Sequence, residues 1–104
     1  MNEFDPEKFE EKYVYYFEEI EAAYSQAYKQ LHGKCDSTVL KAIDRQVLSE
    51  SEPVYEGDGE FSVDLPNQPY ERVSAGIDEE AFERVLEQYV ERIEEELRRE
   101  FGFD

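Results

Sequence analysis

The densest run of chemically reactive side chains is His32-Gly33-Lys34-Cys35-Asp36. A thiol beside a helix start and cationic neighbours is the setting in which cysteines become nucleophiles or redox sensors. Asp36 works against this by disfavouring the thiolate. Cys35 is the single cysteine of the chain. It therefore has no CxxC partner, and its plainer role is that of a small apolar residue before a helix. His32 and Cys35 are also the candidate metal ligands. Zinc needs three or four protein ligands, and the chain has no other His or Cys. A carboxylate, or the same pair from a second chain, would have to complete the set, so neither a metal nor another cofactor is expected.

Glu56, Asp58 and Glu60 alternate through a glycine turn and suggest a calcium loop. The EF-hand pattern puts Gly at its sixth position and Glu at its twelfth. Here those positions hold Phe61 and Asn67, which favours a solvated turn. The many carboxylates give no reason to pair any two for acid–base work. GxSxG, HExxH and phosphate-cradling glycine loops are missing, so nothing argues for an enzyme or assigns a catalytic residue.

Three helices would carry these residues, and each opens alike. Asp5, Asp36 and Asp78 are N-cap residues, each flanked by an apolar pair at staple spacing: Phe4/Phe9, Cys35/Leu40 and Ile77/Phe82. Pro6 suits the first helical position. A helix over 6–32 places Phe9, Tyr13, Tyr16, Phe17, Ile20, Ala23, Tyr24, Ala27, Tyr28 and Leu31 in one arc roughly 140° wide. Gly33 is its stop. Phe17 is expected in the core, and Tyr15, opposite the arc, in solvent. The second helix spans 37–49 with Val39, Leu40, Ile43 and Val47 inward. The third spans 79–100 with Phe82, Val85, Leu86, Tyr89, Val90, Ile93 and Leu97 inward. Period-two alternation on either side of Gly57-Asp58-Gly59 predicts a β-hairpin over 54–65.

The expected fold is mainly α (α+β): one domain over 1–104, two long antiparallel helices plus one short helix, and a small β-hairpin inserted before the C-terminal helix. Steps of four and three along the first and third helices are those of a shallow-angle packing seam. Two readings stay open. The seam is either an intramolecular pair, or part of its aromatic arc (Tyr13, Tyr16, Ile20, Tyr24 and Tyr28) faces a second copy.

With 104 residues, 39% hydrophobic and 14% aromatic, the chain holds too much apolar material for a disordered segment. Its formal net charge is -17. Such a chain does not bind nucleic acid directly by neutralising phosphates, nor anionic membranes. No apolar run approaches the roughly 20 residues that span a bilayer, and Met1 leads straight into charged residues, so no signal peptide is expected. On the third helix Glu83, Glu87, Glu91 and Glu95 form a ladder of like charges. Each pair costs an isolated helix about 0.2–0.5 kcal/mol in dilute salt. Arg99 lies one turn further on, and Glu80–Arg84 and Glu94–Arg98 are expected pairs. Concentrated salt removes the repulsion, because the Debye length falls to about 3 Å at 1 M.

The opening MNEFDPEKFEEKYVYYFEEIEAAY and the closing FERVLEQYVERIEEELRREFGFD resemble a family of short, acidic haloarchaeal proteins of unknown function. The resemblance covers essentially the whole chain. It implies an archaeal, halophilic origin and a cytoplasmic location, and no activity. The functional expectation is a non-enzymatic interaction or scaffold protein, self-associating as a homodimer through the aromatic face or holding an unknown protein partner. The alternative is an acidic module for a basic protein or a cation, imitating nucleic acid with the Glu83–Glu95 ridge. A thiol- or metal-dependent activity at His32 and Cys35 ranks third.

Overall fold

The computed structural model describes residues 4–73 and 76–103. All three expected N-caps form. Asp5 accepts from the Glu7 N–H, Asp36 from those of Thr38 and Val39, and Asp78 from that of Ala81. The Phe4–Phe9 staple closes with ring centroids 5.4 Å apart.

The long first helix does not form. In its place stand α1 (Pro6–Phe9), α2 (Lys12–Tyr15) and α3 (Phe17–Leu31). The breaks fall at Glu11 (φ -116°, ψ 48°) and Tyr16 (φ -128°, ψ 20°). Their cause is tertiary. In an unbroken helix Phe9 and Tyr16 would stand about 10 Å apart along the axis. Here their rings are 6.2 Å apart, and both lie against Phe101, at 5.8 and 5.0 Å. The run Tyr13-Val14-Tyr15-Tyr16-Phe17 has only middling helix propensity, so interrupting it there costs little.

After the break the helical phase restarts. Ile20, Ala23, Ala27 and Leu31 become the buried stripe of α3. Phe17, expected in the core, is 52% exposed instead. Phe4, Phe9 and Tyr16 already occupy the space at the end of the C-terminal helix that Phe17 would have filled.

Helix α4 (Ser37–Gln46) tightens into a 3-10 turn at Leu48–Glu50. Strands β1 (Glu52–Gly57) and β2 (Glu60–Asp64) pair antiparallel, with Tyr55 opposite Phe61. At the turn, Gly57, Asp58 and Gly59 all take positive φ. A Cβ on Gly59 would meet the Phe103 ring at 3.0 Å, so this glycine is required for close approach as well as for its backbone angle. A second 3-10 turn (Pro69–Arg72) precedes α5 (Glu79–Glu100). The architecture is thus mainly helical with a hairpin before the last helix. Five α-helices appear among the described residues, three of them substantial, rather than two long ones and one short.

Helices α3 and α5 run in opposite directions. Tyr16, just before α3, meets Phe101 just after α5, while Cys35, beyond the other end of α3, reaches Gln88. The hairpin and α4 lie against α5. Phe82, Val85, Leu86, Tyr89, Ile93 and Leu97 of α5 are buried in the resulting core, and Val90 is half-buried. At one end Phe4 is the hub of an aromatic cluster, its ring 4.7–5.6 Å from those of Phe9, Tyr16, Tyr55, Phe61, Phe101 and Phe103. This cluster ties the N-terminal segment, the hairpin and the end of α5 together.

Candidate functional site

Breaking the first helix creates the most distinctive local chemistry of the chain. Lys12, the first residue of α2, is turned inward and is only 8% exposed. Its Nζ donates to Glu52 Oε1 at 2.7 Å and lies 5.3 and 5.5 Å from the ring centres of Phe9 and Tyr13. A buried lysine needs such compensation, because removing an ammonium from water is costly. A cleft of about 370 Å3 opens beside the pair, with Pro6, Phe9, Glu10, Val54 and Tyr55 as its remaining walls. The Tyr13 hydroxyl has a raised pKa, through partial burial and then the nearby Glu52 charge.

On the outer side, the same break leaves Tyr13, Val14, Tyr15 and Phe17 between 51% and 73% exposed. Four large apolar side chains within five residues of sequence are unusual on a surface this charged. Lys8 Nζ sits 5.5 Å from the centre of the Tyr15 ring. Two of the five lysines of the chain, Lys8 and Lys12, therefore border these residues, among Glu7, Glu10, Glu11 and Glu18.

The five residues of the expected aromatic face do not share one environment. Tyr13 is exposed and Ile20 is core. Tyr16 is half-buried in the aromatic cluster, and its hydroxyl accepts the Asp5 N–H at 3.1 Å. The Tyr24 hydroxyl lies 3.1 Å from Ser51 Oγ, and burial pushes its pKa up to about 12. Tyr28 is half-buried beside the rings of His32 and Tyr89.

At the other reactive stretch, Gly33 has φ +89° and turns the chain back, so that the Lys34 and Cys35 N–H groups both donate to Leu31 O. His32 is exposed. Cys35 is half-buried against the core, its Sγ 3.7 Å from Gln88 Oε1. Among the described residues no group of three or more His, Cys, Asp or Glu side chains is placed to hold a metal ion.

Glu83, Glu87, Glu91 and Glu95 are all exposed along α5. Three of the four arginines of that helix turn largely elsewhere: Arg98 pairs with Glu60 (3.3 Å), Arg99 with Glu96 (2.9 Å), and Arg92 reaches Gln30 (3.4 Å) while only approaching Glu95 at 3.9 Å. Among the described residues' ion pairs, neither of the expected ones, Glu80–Arg84 or Glu94–Arg98, is present. The Glu94 carboxyl is held above its usual range by partial burial and then by Glu91, with Glu60 and Glu56 adding to it and Arg98 opposing.

Two charged residues at the core escaped the sequence reading. Glu96 is 4% exposed and accepts from Gln30 Nε2 at 2.7 Å as well as from Arg99. Lys12 is the other. Both signals were present: Glu96 falls three residues after Ile93 on the apolar seam, and Lys12 lies three after Phe9 at the edge of the aromatic arc.

A family model described as a family of unknown function (DUF5783) matches residues 1–104. No curated protein and no solved structure matches the chain.

Proposed function

We propose a role for this chain, which belongs to that family of unknown function along its whole length, as a non-enzymatic interaction protein that associates with a second copy of itself through the surface at the broken first helix. The observation that carries the reading is the exposure of Tyr13, Val14, Tyr15 and Phe17 beside Lys8 and several glutamates. Around a twofold axis each residue of a patch meets its counterpart's neighbours. A patch holding Lys8 among acidic residues is therefore self-complementary, whereas the surface of a chain with a net charge of -17 otherwise repels its own kind.

The acidity itself is an adjustment to concentrated salt in the cytoplasm of a salt-loving archaeon. Exposed carboxylates on α1, α3, α5 and the hairpin support this. Screening at molar salt both steadies the fold and lets two acidic chains approach.

Light scattering tests association. The chain is dimeric in 2 M KCl and monomeric in 0.1 M KCl. Tyr13→Ser/Phe17→Ser is monomeric in both, with a melting temperature close to that of the parent. A parent chain that stays monomeric at every salt concentration overturns the reading. Melts in graded KCl test the salt adaptation: the transition rises steadily with KCl, and a transition that does not move refutes it.

A further inference from the structure

A second surface stands apart from the broken helix. Beyond the end of β2, Leu65 faces Leu86 and Val90 of α5 across a shallow apolar groove of about 250 Å3, and Glu83, Glu87 and Glu91 line it. Among the described residues no ion pair reaches these three carboxylates: of the four arginines on the same helix, Arg92, Arg98 and Arg99 engage other partners and Arg84 forms no ion pair with them. One turn beyond Glu91, the Glu94 carboxyl is held above its usual range by partial burial first and then by Glu91, with Glu60 and Glu56 of the hairpin adding to it against Arg98. The groove thus joins an apolar floor to a one-signed, unneutralised edge.

We propose that this groove docks a basic amphipathic helix of another protein. Its apolar stripe would lie on Leu65, Leu86 and Val90, and its lysines or arginines would meet Glu83, Glu87 and Glu91. The spacing argues for a helix. Side chains four apart on α5 stand about 5–6 Å from one another, and a partner helix presents cations at the same interval. Opposite charge steers such a partner and relieves the ladder's repulsion, while the apolar floor supplies a contact that salt does not screen.

The test is fluorescence anisotropy in 0.5 M KCl with a labelled 18-residue peptide of lysine and leucine arranged on opposite helical faces. A scrambled peptide of the same composition has the charge without the stripe. The amphipathic peptide binds at least tenfold more tightly than the scrambled one. The triple variant Glu83→Gln/Glu87→Gln/Glu91→Gln loses that preference, whereas Glu18→Gln/Glu19→Gln/Glu21→Gln, equal in charge but on α3, keeps it. Equal binding of both peptides, equal weakening by both triple variants, or no binding of the amphipathic peptide overturns the proposal. None of these outcomes depends on whether the chain self-associates.

Discussion

The Lys12–Glu52 pair is lopsided, and the two ways of breaking it should differ. The lysine side chain is 10% exposed and the glutamate side chain 54%. Glu52→Gln leaves a buried ammonium facing only a neutral amide and two ring faces. A hydrogen bond to a charged group contributes about 1.5–3 kcal/mol, and a buried cation cannot recover it from water, so a loss of about 2 kcal/mol is expected. Lys12→Met keeps the side-chain stem in place and frees Glu52, which already reaches solvent. The cost is then that of an exposed pair, about 0–1 kcal/mol. In Lys12→Met/Glu52→Gln no buried charge remains, so the double variant falls near Lys12→Met and above Glu52→Gln. Urea unfolding in 2 M KCl, which quiets the remaining surface charge, reads these differences. With a slope of about 2 kcal/mol per molar, the Glu52→Gln midpoint drops by about 1 M. Equal losses for the two single variants, or a larger one for Lys12→Met, would refute the asymmetric burial on which the reasoning stands.

Other expectations can be checked on the same footing. Phe101 is 3% exposed and Phe17 is 52% exposed. Phe101→Ala should therefore cost about 3–5 kcal/mol in urea unfolding and Phe17→Ala about 1 or less, and similar losses would contradict the break at Tyr16. Gly57 and Gly59 share positive φ, but only Gly59 has a ring where its Cβ would be. Gly59→Ala should lower the melting temperature more than Gly57→Ala, and the reverse order would misplace Phe103. Tyr24 has a pKa of about 12 and Tyr89, buried and donating to Asp44, one higher still. Both keep their protons in the fold after an unfolded phenol has lost its own near pH 10. Their contribution to stability is complete below pH 10 and is lost as pH rises, through about 12 for Tyr24 and further for Tyr89, so alkaline unfolding follows. Ultraviolet titration should show these two ionising only as helical dichroism collapses; ionisation of all eight tyrosines with the helices intact would contradict it.

What could be read from the chain alone is what short stretches decide by themselves. The N-caps at Asp5, Asp36 and Asp78, the span of α5, the stop at Gly33 and the hairpin around Gly57-Asp58-Gly59 each depend on hydrogen bonds or backbone angles within a turn or two. The ladder of glutamates on α5 was equally legible, because an uninterrupted helix puts every fourth residue on one side. Tertiary packing alone decided the fate of the first helix. Its wheel was sound from Ile20 onward, but Phe9 and Tyr16 gain more by converging on Phe101 than two helical turns gain by staying joined. That exchange turned Phe17 outward, drew Lys12 onto Glu52 and made the exposed surface on which the proposed function rests. Residues roughly 40 and 90 positions away in the chain (Glu52 and Phe101) carry the deciding contacts, and no periodicity within a single segment can register them.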